Sequence, residues 1–143
     1  MNAKAEAVVI AMIEDDEGHA RLIEKNLQRA GVTNELRHFS NGTEALKFLL
    51  EAGAEHAFAL LILLDLNLPD MSGIDVLAKI KAHPDLKRAP VIVLTTTDDE
   101  REILRCYDLG CNVYITKPVN YESFSQAIRQ LGLFLSVIAV PQV

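Results

Sequence analysis

The stretch Leu60-Leu61-Ile62-Leu63-Leu64-Asp65-Leu66-Asn67-Leu68-Pro69-Asp70-Met71-Ser72-Gly73 runs five aliphatic residues into a carboxylate and closes on Pro and Gly. An apolar run of this length without polar alternation reads as a strand buried on both faces, as inside a parallel sheet covered by helices. Asp65 then emerges at the strand's C-terminal edge, where open parallel sheets place their ligand sites. Three further apolar runs end in the same way. Glu14-Asp15 follows Val8–Ile13, Thr95 follows Val91–Leu94, and Lys117-Pro118 follows Val113–Thr116.

Between these runs the chain alternates strand and helix, with no repeat and no low-complexity linker. A first strand is expected over Ala7–Ile13. Gly18–Ala30 has Ala20, Leu22, Ile23, Leu27 and Ala30 at helical spacing and stops at Gly31. A short strand over Glu35–Phe39 leads through the turn Ser40-Asn41-Gly42-Thr43 into a helix over Glu44–Glu51. A helix over Gly73–Ala82 turns Ile74, Leu77, Ala78 and Ile80 inward, and Pro84 and Pro90 bracket a polar connection. The remainder reads as a strand over Val91–Leu94, a helix over Asp98–Leu109 ended by Gly110, a strand over Asn112–Ile115, and a last helix from Tyr121. Five strands separated by helices predict an α/β protein, a flavodoxin-like (βα)5 doubly wound parallel sheet in the order 2-1-3-4-5. In that order Glu14-Asp15 and Asp65 meet on adjacent strands at the topological switch point.

Composition narrows the function classes. The 143 residues suit one domain with a sizeable core, and 50% hydrophobic with 24% charged residues is ordinary for a soluble protein. A net charge of −6 argues against non-specific nucleic-acid binding, which needs a basic face. The N-terminus lacks the apolar stretch of a signal peptide, and no segment reaches the ~20 apolar residues that span a bilayer. Cys106 and Cys111 do not resemble a secreted disulfide framework and read as reduced thiols. A cytoplasmic protein without nucleic-acid or membrane partners is expected. His19, His38, His56 and His83 have no metal-site spacing and are expected at the surface or boundary.

The strand ends carry the chemistry. A carboxylate accepts a phosphoryl group when it is desolvated, aligned with the phosphorus and surrounded by positive charge, since phosphoryl transfer depends on positioning and electrostatics. Asp65 is the candidate nucleophile. Asp15, Glu14 through water, and the backbone carbonyl of Asn67 join Asp65 as candidate ligands of Mg2+, which favours few carboxylates and retained waters. Lys117 and the Thr95 hydroxyl are placed to contact phosphoryl oxygens. Singly, an Asp after a strand is usually a cap and a Lys-Pro usually a turn. The signal lies in their order and common placement.

With Glu14-Asp15, Asp65 in its Asp-Leu-Asn-Leu-Pro-Asp-Met-Ser-Gly setting, Thr95, Tyr114 and Lys117-Pro118, the chain resembles the receiver domains of two-component response regulators, the CheY-like family, over essentially its whole length. The resemblance implies that Asp65 takes a phosphoryl group from a sensor histidine kinase, that the acidic pair binds Mg2+, and that the Lys117–Pro118 bond is cis. It also implies a switch in which Thr95 is drawn toward the phosphoryl group and Tyr114 turns inward, with packing as the readout. Thr96 departs from the Ala or Gly common after the family's Thr and is expected to narrow access to Asp65. Such a protein is a phosphoacceptor rather than a turnover enzyme on an external substrate.

No output domain is expected in residues 1–143, so the partner is another protein or a second copy. Phe124, Ala127, Ile128, Leu131 and Leu135 supply one apolar helical face, which leaves Leu133, Phe134, Val137 and Val140 on others. Leu133, Phe134 and Val137 are therefore the candidate homodimer contact, within an apolar tail at about residues 131–143. Glu17-Gly18-His19-Ala20-Arg21-Leu22-Ile23, the Asp65 run and the ending are similar to single-domain regulators that serve phytochrome kinases, which are commonly dimers. The alternative is a phosphorylation-independent dimeric adaptor, which would need none of Glu14, Asp15, Asp65, Thr95 or Lys117. A phosphatase with an aspartyl nucleophile needs an acid where Asn67 stands, and a nucleotide-binding loop would be Gly-rich where Glu14-Asp15-Asp16-Glu17 is acidic.

Overall fold

A computed structural model describes residues 8–51, 59–117, 120–127 and 129. Its elements run β1 (Val9–Ile13), α1 (Glu17–Arg29), β2 (Leu36–Phe39), α2 (Gly42–Glu51), β3 (Leu60–Leu64), α3 (Gly73–Ala82), a 3-10 turn (Leu86–Arg88), β4 (Val91–Thr95), α4 (Glu100–Leu109) and β5 (Val113–Thr116). A last helix, α5, covers residues 121–127. All strand pairs are parallel, in the order β2-β1-β3-β4-β5, so the expected flavodoxin-like topology is observed. The expectations for Pro118 and for Leu133, Phe134 and Val137 fall outside the described residues.

The β3 run is apolar throughout because the sheet is covered twice. Leu60, Ile62 and Leu64 pack with Ala45, Leu49, Val76, Leu77 and Ile80 of α2 and α3. Leu61 and Leu63 face the other way, onto Ala20, Ile23 and Leu27 of α1 and onto Phe124 and Ala127. The period-2 alternation of a strand is thus present with both faces apolar. Phe124 is fully buried, so the start of the last helix covers the sheet as expected.

The helix starts differ from the sequence expectation for reasons visible in the caps. Asp16 caps α1, its carboxylate accepting from the His19 amide at 2.9 Å, so the helix begins at Glu17. Asp99 caps α4 in the same way, accepting from Arg101 N at 2.8 Å, so Asp98 lies outside the helix. The largest difference is α2, which begins at Gly42 inside the expected turn. Its cap comes from elsewhere: Asp70, in the loop after β3, accepts from the amides of Gly42 at 2.9 Å and Thr43 at 2.8 Å and from the Thr43 hydroxyl. Asn41 Oδ1 takes the Glu44 amide at 2.8 Å.

These bonds, the Thr43 hydroxyl first and the Gly42 amide next, hold the Asp70 carboxyl down to about 2. A folded-state value below the ordinary 3.8 means that its stabilisation is complete above that value and lost as pH falls toward about 2. In Asp70→Ala, hydrogen exchange at Gly42, Thr43 and Glu44 is expected to accelerate ahead of the rest of α2. The stability gap between wild type and variant should close over the same acid window. A gap that persists below pH 2 would contradict this cap.

Candidate functional site

Register sets the site. Ile13 pairs with Leu64, so the residues that follow, Glu14 and Asp65, leave the sheet side by side. The Asp65 amide still bonds the Ile13 carbonyl at 3.0 Å, and the Glu14 amide bonds Phe39 O at 2.9 Å, so both backbones are held. Gly73 allows the next close approach. A Cβ there would collide with the Asp65 carbonyl oxygen and with Leu66 Cα, both backbone atoms that cannot move aside. The start of α3 therefore packs directly beneath the turn carrying Asp65, with Gly73 N donating to Leu66 O at 2.9 Å.

On the far strands, Thr95 pairs with Thr116, and Lys117 N donates to Thr95 O at 2.7 Å, which aims the next side chain back across the sheet edge. Lys117 Nζ reaches Glu14 Oε1 at 2.6 Å and Asp65 Oδ2 at 3.2 Å. These side chains are almost dry, with Lys117 5% exposed, Glu14 1% and Asp65 6%. Asp15 is exposed. One carboxylate oxygen from each of Glu14, Asp15 and Asp65 lies within 4.8 Å of the others. Of these three acids, Glu14 and Asp65 share the Lys117 ammonium. Burial pushes the Glu14 carboxyl above its ordinary value; the Lys117 bond opposes this and the Asp65 charge adds to it. The excess negative charge and hard oxygen donors are what a small divalent cation needs.

The remaining oxygen of Asp65, Oδ1, accepts from Asn67 N at 3.1 Å. The Asn67 side chain bridges outward, its Nδ2 donating to Thr95 Oγ1 at 3.4 Å and to Thr96 Oγ1 at 3.2 Å. Thr95 is fully buried. Tyr114 is half-buried, and its hydroxyl donates to the Thr97 carbonyl at 2.7 Å, so it is already tied to the loop after Thr95. Burial pushes this phenol well above its ordinary value. Its own amide donates to Tyr107 Oη at 3.1 Å.

The structure therefore brings Glu14, Asp15, Asp65, Asn67, Thr95 and Lys117 to one edge, with Tyr114 one loop away. His19 was missed as part of this group. It lies at the boundary, but its Nδ1 stands 3.0 Å from Lys117 Nζ. Its only signal was the Asp16 cap, which fixes where position 19 falls on α1. His38 is exposed, with Nε2 2.7 Å from the Glu14 carbonyl, and His83 Nδ1 accepts from Asp85 N at 3.0 Å, while His56 lies outside the described residues. Cys106 and Cys111 are free and buried, and burial first, then the Cys106 charge, pushes the Cys111 thiol up to about 12. Such thiols are unreactive. Among the described residues no helix is long and apolar enough to cross a membrane.

The chain is similar to known proteins. Response regulator Rcp1 of Synechocystis is 38% identical over 136 residues, covering 93% of this chain and 92% of Rcp1. Its Mn2+-bound crystal form superposes with a TM-score of 0.73, covering 94% of this chain and 99% of that one. A receiver domain from Rhodospirillum rubrum is 62% identical with a TM-score of 0.77, over 95% of this chain and 99% of that one. The phosphorylated cyanobacterial phytochrome response regulator RcpA is 38% identical with a TM-score of 0.75, over 96% and 100%. Residues 10–129 match the family model of the response regulator receiver domain. With five parallel strands in this order and the acidic edge opposite a buried lysine, the chain belongs to the response regulator receiver domain family.

Proposed function

We propose that the chain is a response regulator in which Asp65 accepts a phosphoryl group from a sensor histidine kinase. The observation that carries this reading is the Asp65 carboxylate, buried at a sheet edge, held at one oxygen by Lys117 and crowded by two further carboxylates. A carboxylate oxygen of Asp65 attacks phosphorus, the bond from phosphorus to the donor imidazole nitrogen breaks, and its electron pair returns to that nitrogen. The product is an acyl phosphate. Lys117 moves its ammonium from Asp65 Oδ2 to a phosphoryl oxygen, and Thr95 turns its hydroxyl from Asn67 to another. Glu14, Asp15, Asp65 and the Asn67 carbonyl would hold Mg2+, which when bound supplies positive charge to the phosphoryl oxygens. The Mn2+-bound Rcp1 supports a divalent cation here.

Release of Thr95 from Asn67 would be felt at Thr97 and so at Tyr114, which makes Thr95 and Tyr114 the proposed switch. Thr96, held against Asn67, would narrow the approach to Asp65. The phytochrome regulator RcpA makes a phytochrome kinase one candidate donor. The readout would be a downstream protein or a homodimer contact through Leu133, Phe134 and Val137.

Incubation with acetyl phosphate and Mg2+ is expected to add one phosphoryl group to the intact mass, and a chelator is expected to abolish the addition. Equal addition with and without chelator would remove the metal from the reading. No addition, with the donor active on a control receiver, would favour the phosphorylation-independent adaptor.

A further inference from the structure

An ammonium group has three N–H donors and no acceptor, and a lysine kept from water must place all three. Lys117 is 5% exposed and has three partners: Glu14 Oε1 at 2.6 Å, Asp65 Oδ2 at 3.2 Å and His19 Nδ1 at 3.0 Å. Because Lys117 can only donate, Nδ1 of His19 carries the lone pair and Nε2 the proton. The His19 ring bears on Lys117 rather than on the acids, since Nδ1 is 3.8 Å from Glu14 Oε2. The contact is set by the start of α1, where the Asp16 carboxylate takes the His19 amide at 2.9 Å.

We infer that His19 is a positioning residue for Lys117, a neutral third acceptor that aims the ammonium at the Asp65 oxygen it must follow during phosphoryl transfer. A third carboxylate in this place would hold the lysine too, but would add negative charge against the incoming phosphoryl group. An apolar residue would leave one buried N–H without a partner. The imidazole meets both requirements. It also keeps its hold while Lys117 exchanges Asp65 Oδ2 for a phosphoryl oxygen, so the lysine is not carried by Glu14 alone.

The inference rests on the phosphoacceptor reading of Asp65, and the test separates the two. Wild type, His19→Leu and His19→Gln are compared by two measurements. One is the rate constant of phosphorylation by acetyl phosphate over a Mg2+ titration, which separates the rate at saturating metal from metal affinity. The other is the Lys117 ammonium resonance in 15N-lysine-labelled protein, which needs no phosphoryl transfer.

His19→Leu is expected to lower the saturated rate about ten-fold, the size of one lost hydrogen bond to a charged group, with metal affinity within about two-fold of wild type. The Lys117 resonance should shift and exchange faster with water. His19→Gln, whose amide oxygen can accept from Lys117, is expected to recover most of both effects. A His19→Leu rate equal to wild type, or a glutamine variant as slow as leucine, would overturn the inference. So would a large change in metal affinity with an unchanged saturated rate. If wild type itself gains no phosphoryl group, the phosphoacceptor reading fails. The resonance then decides this inference alone, and an unshifted Lys117 signal in His19→Leu overturns it.

Discussion

Asp65→Asn is expected to gain no phosphoryl group from acetyl phosphate and Mg2+, yet to unfold at the same denaturant concentration as wild type or a higher one. The two halves of this result share one cause. Asparagine nearly matches aspartate in shape, so the backbone bonds from Asp65 N to Ile13 O and from Gly73 N to Leu66 O are untouched. It lacks the anionic oxygen that attacks phosphorus, so uptake is lost altogether. It also removes one of three carboxylates crowded within 4.8 Å, relieving the repulsion that helps raise the Glu14 carboxyl. Lys117 keeps its shorter bond, to Glu14. A site built for function at a cost to stability behaves this way when its central charge is removed. Marked destabilisation by Asp65→Asn would mean that Asp65 holds the fold together.

Lys117→Met has the opposite stability signature. It removes the cation bonded to two buried acids, and breaking a buried ion pair from one side destabilises by about 3–5 kcal/mol. Methionine fills much of the space, so the loss is mainly electrostatic. Two consequences distinguish this from ordinary repacking. The deficit should shrink as pH falls, because Glu14, already raised above its ordinary value by burial, takes up a proton and the uncompensated charge disappears. Adding Mg2+ should recover more stability in the variant than in wild type, since a ligand that binds only the folded state stabilises more the more tightly it binds, and the acids no longer share their charge with Lys117. The check is denaturant unfolding at two pH values with and without Mg2+. A deficit indifferent to both would show that Lys117 acts through packing.

How much of this was legible in the sequence follows from the range of each interaction. The aliphatic run ending at Asp65 announced a strand buried on both faces, and with four polar strand ends it led to the parallel sheet and its order. Gly110 ended α4 with φ at 112°, as its position suggested. The start of α2 was misplaced because its cap, Asp70, lies 28 residues from Gly42, beyond any local pattern. Lys117 and Glu14 are 103 residues apart, yet both were found because each ends its own strand and the topology joins them. His19 ends no strand. Its contact with Lys117, 98 residues away, depends on the cap and rotation of α1, so neither spacing nor residue type disclosed it. Likewise the Asn67 bridge to Thr95 and Thr96 needs the loop geometry beyond β3 and β4.

The most direct test of the central claim is to find the phosphoryl group on the chain. Wild-type protein phosphorylated with acetyl phosphate and Mg2+ would be treated with borohydride, which reduces an aspartyl phosphate to homoserine, and its peptides sequenced by mass spectrometry. Homoserine is expected at position 65 and at no other acid, Glu14 and Asp15 included. Homoserine elsewhere with Asp65 intact, or phosphate retained on a hydroxyl such as Thr95, would contradict it.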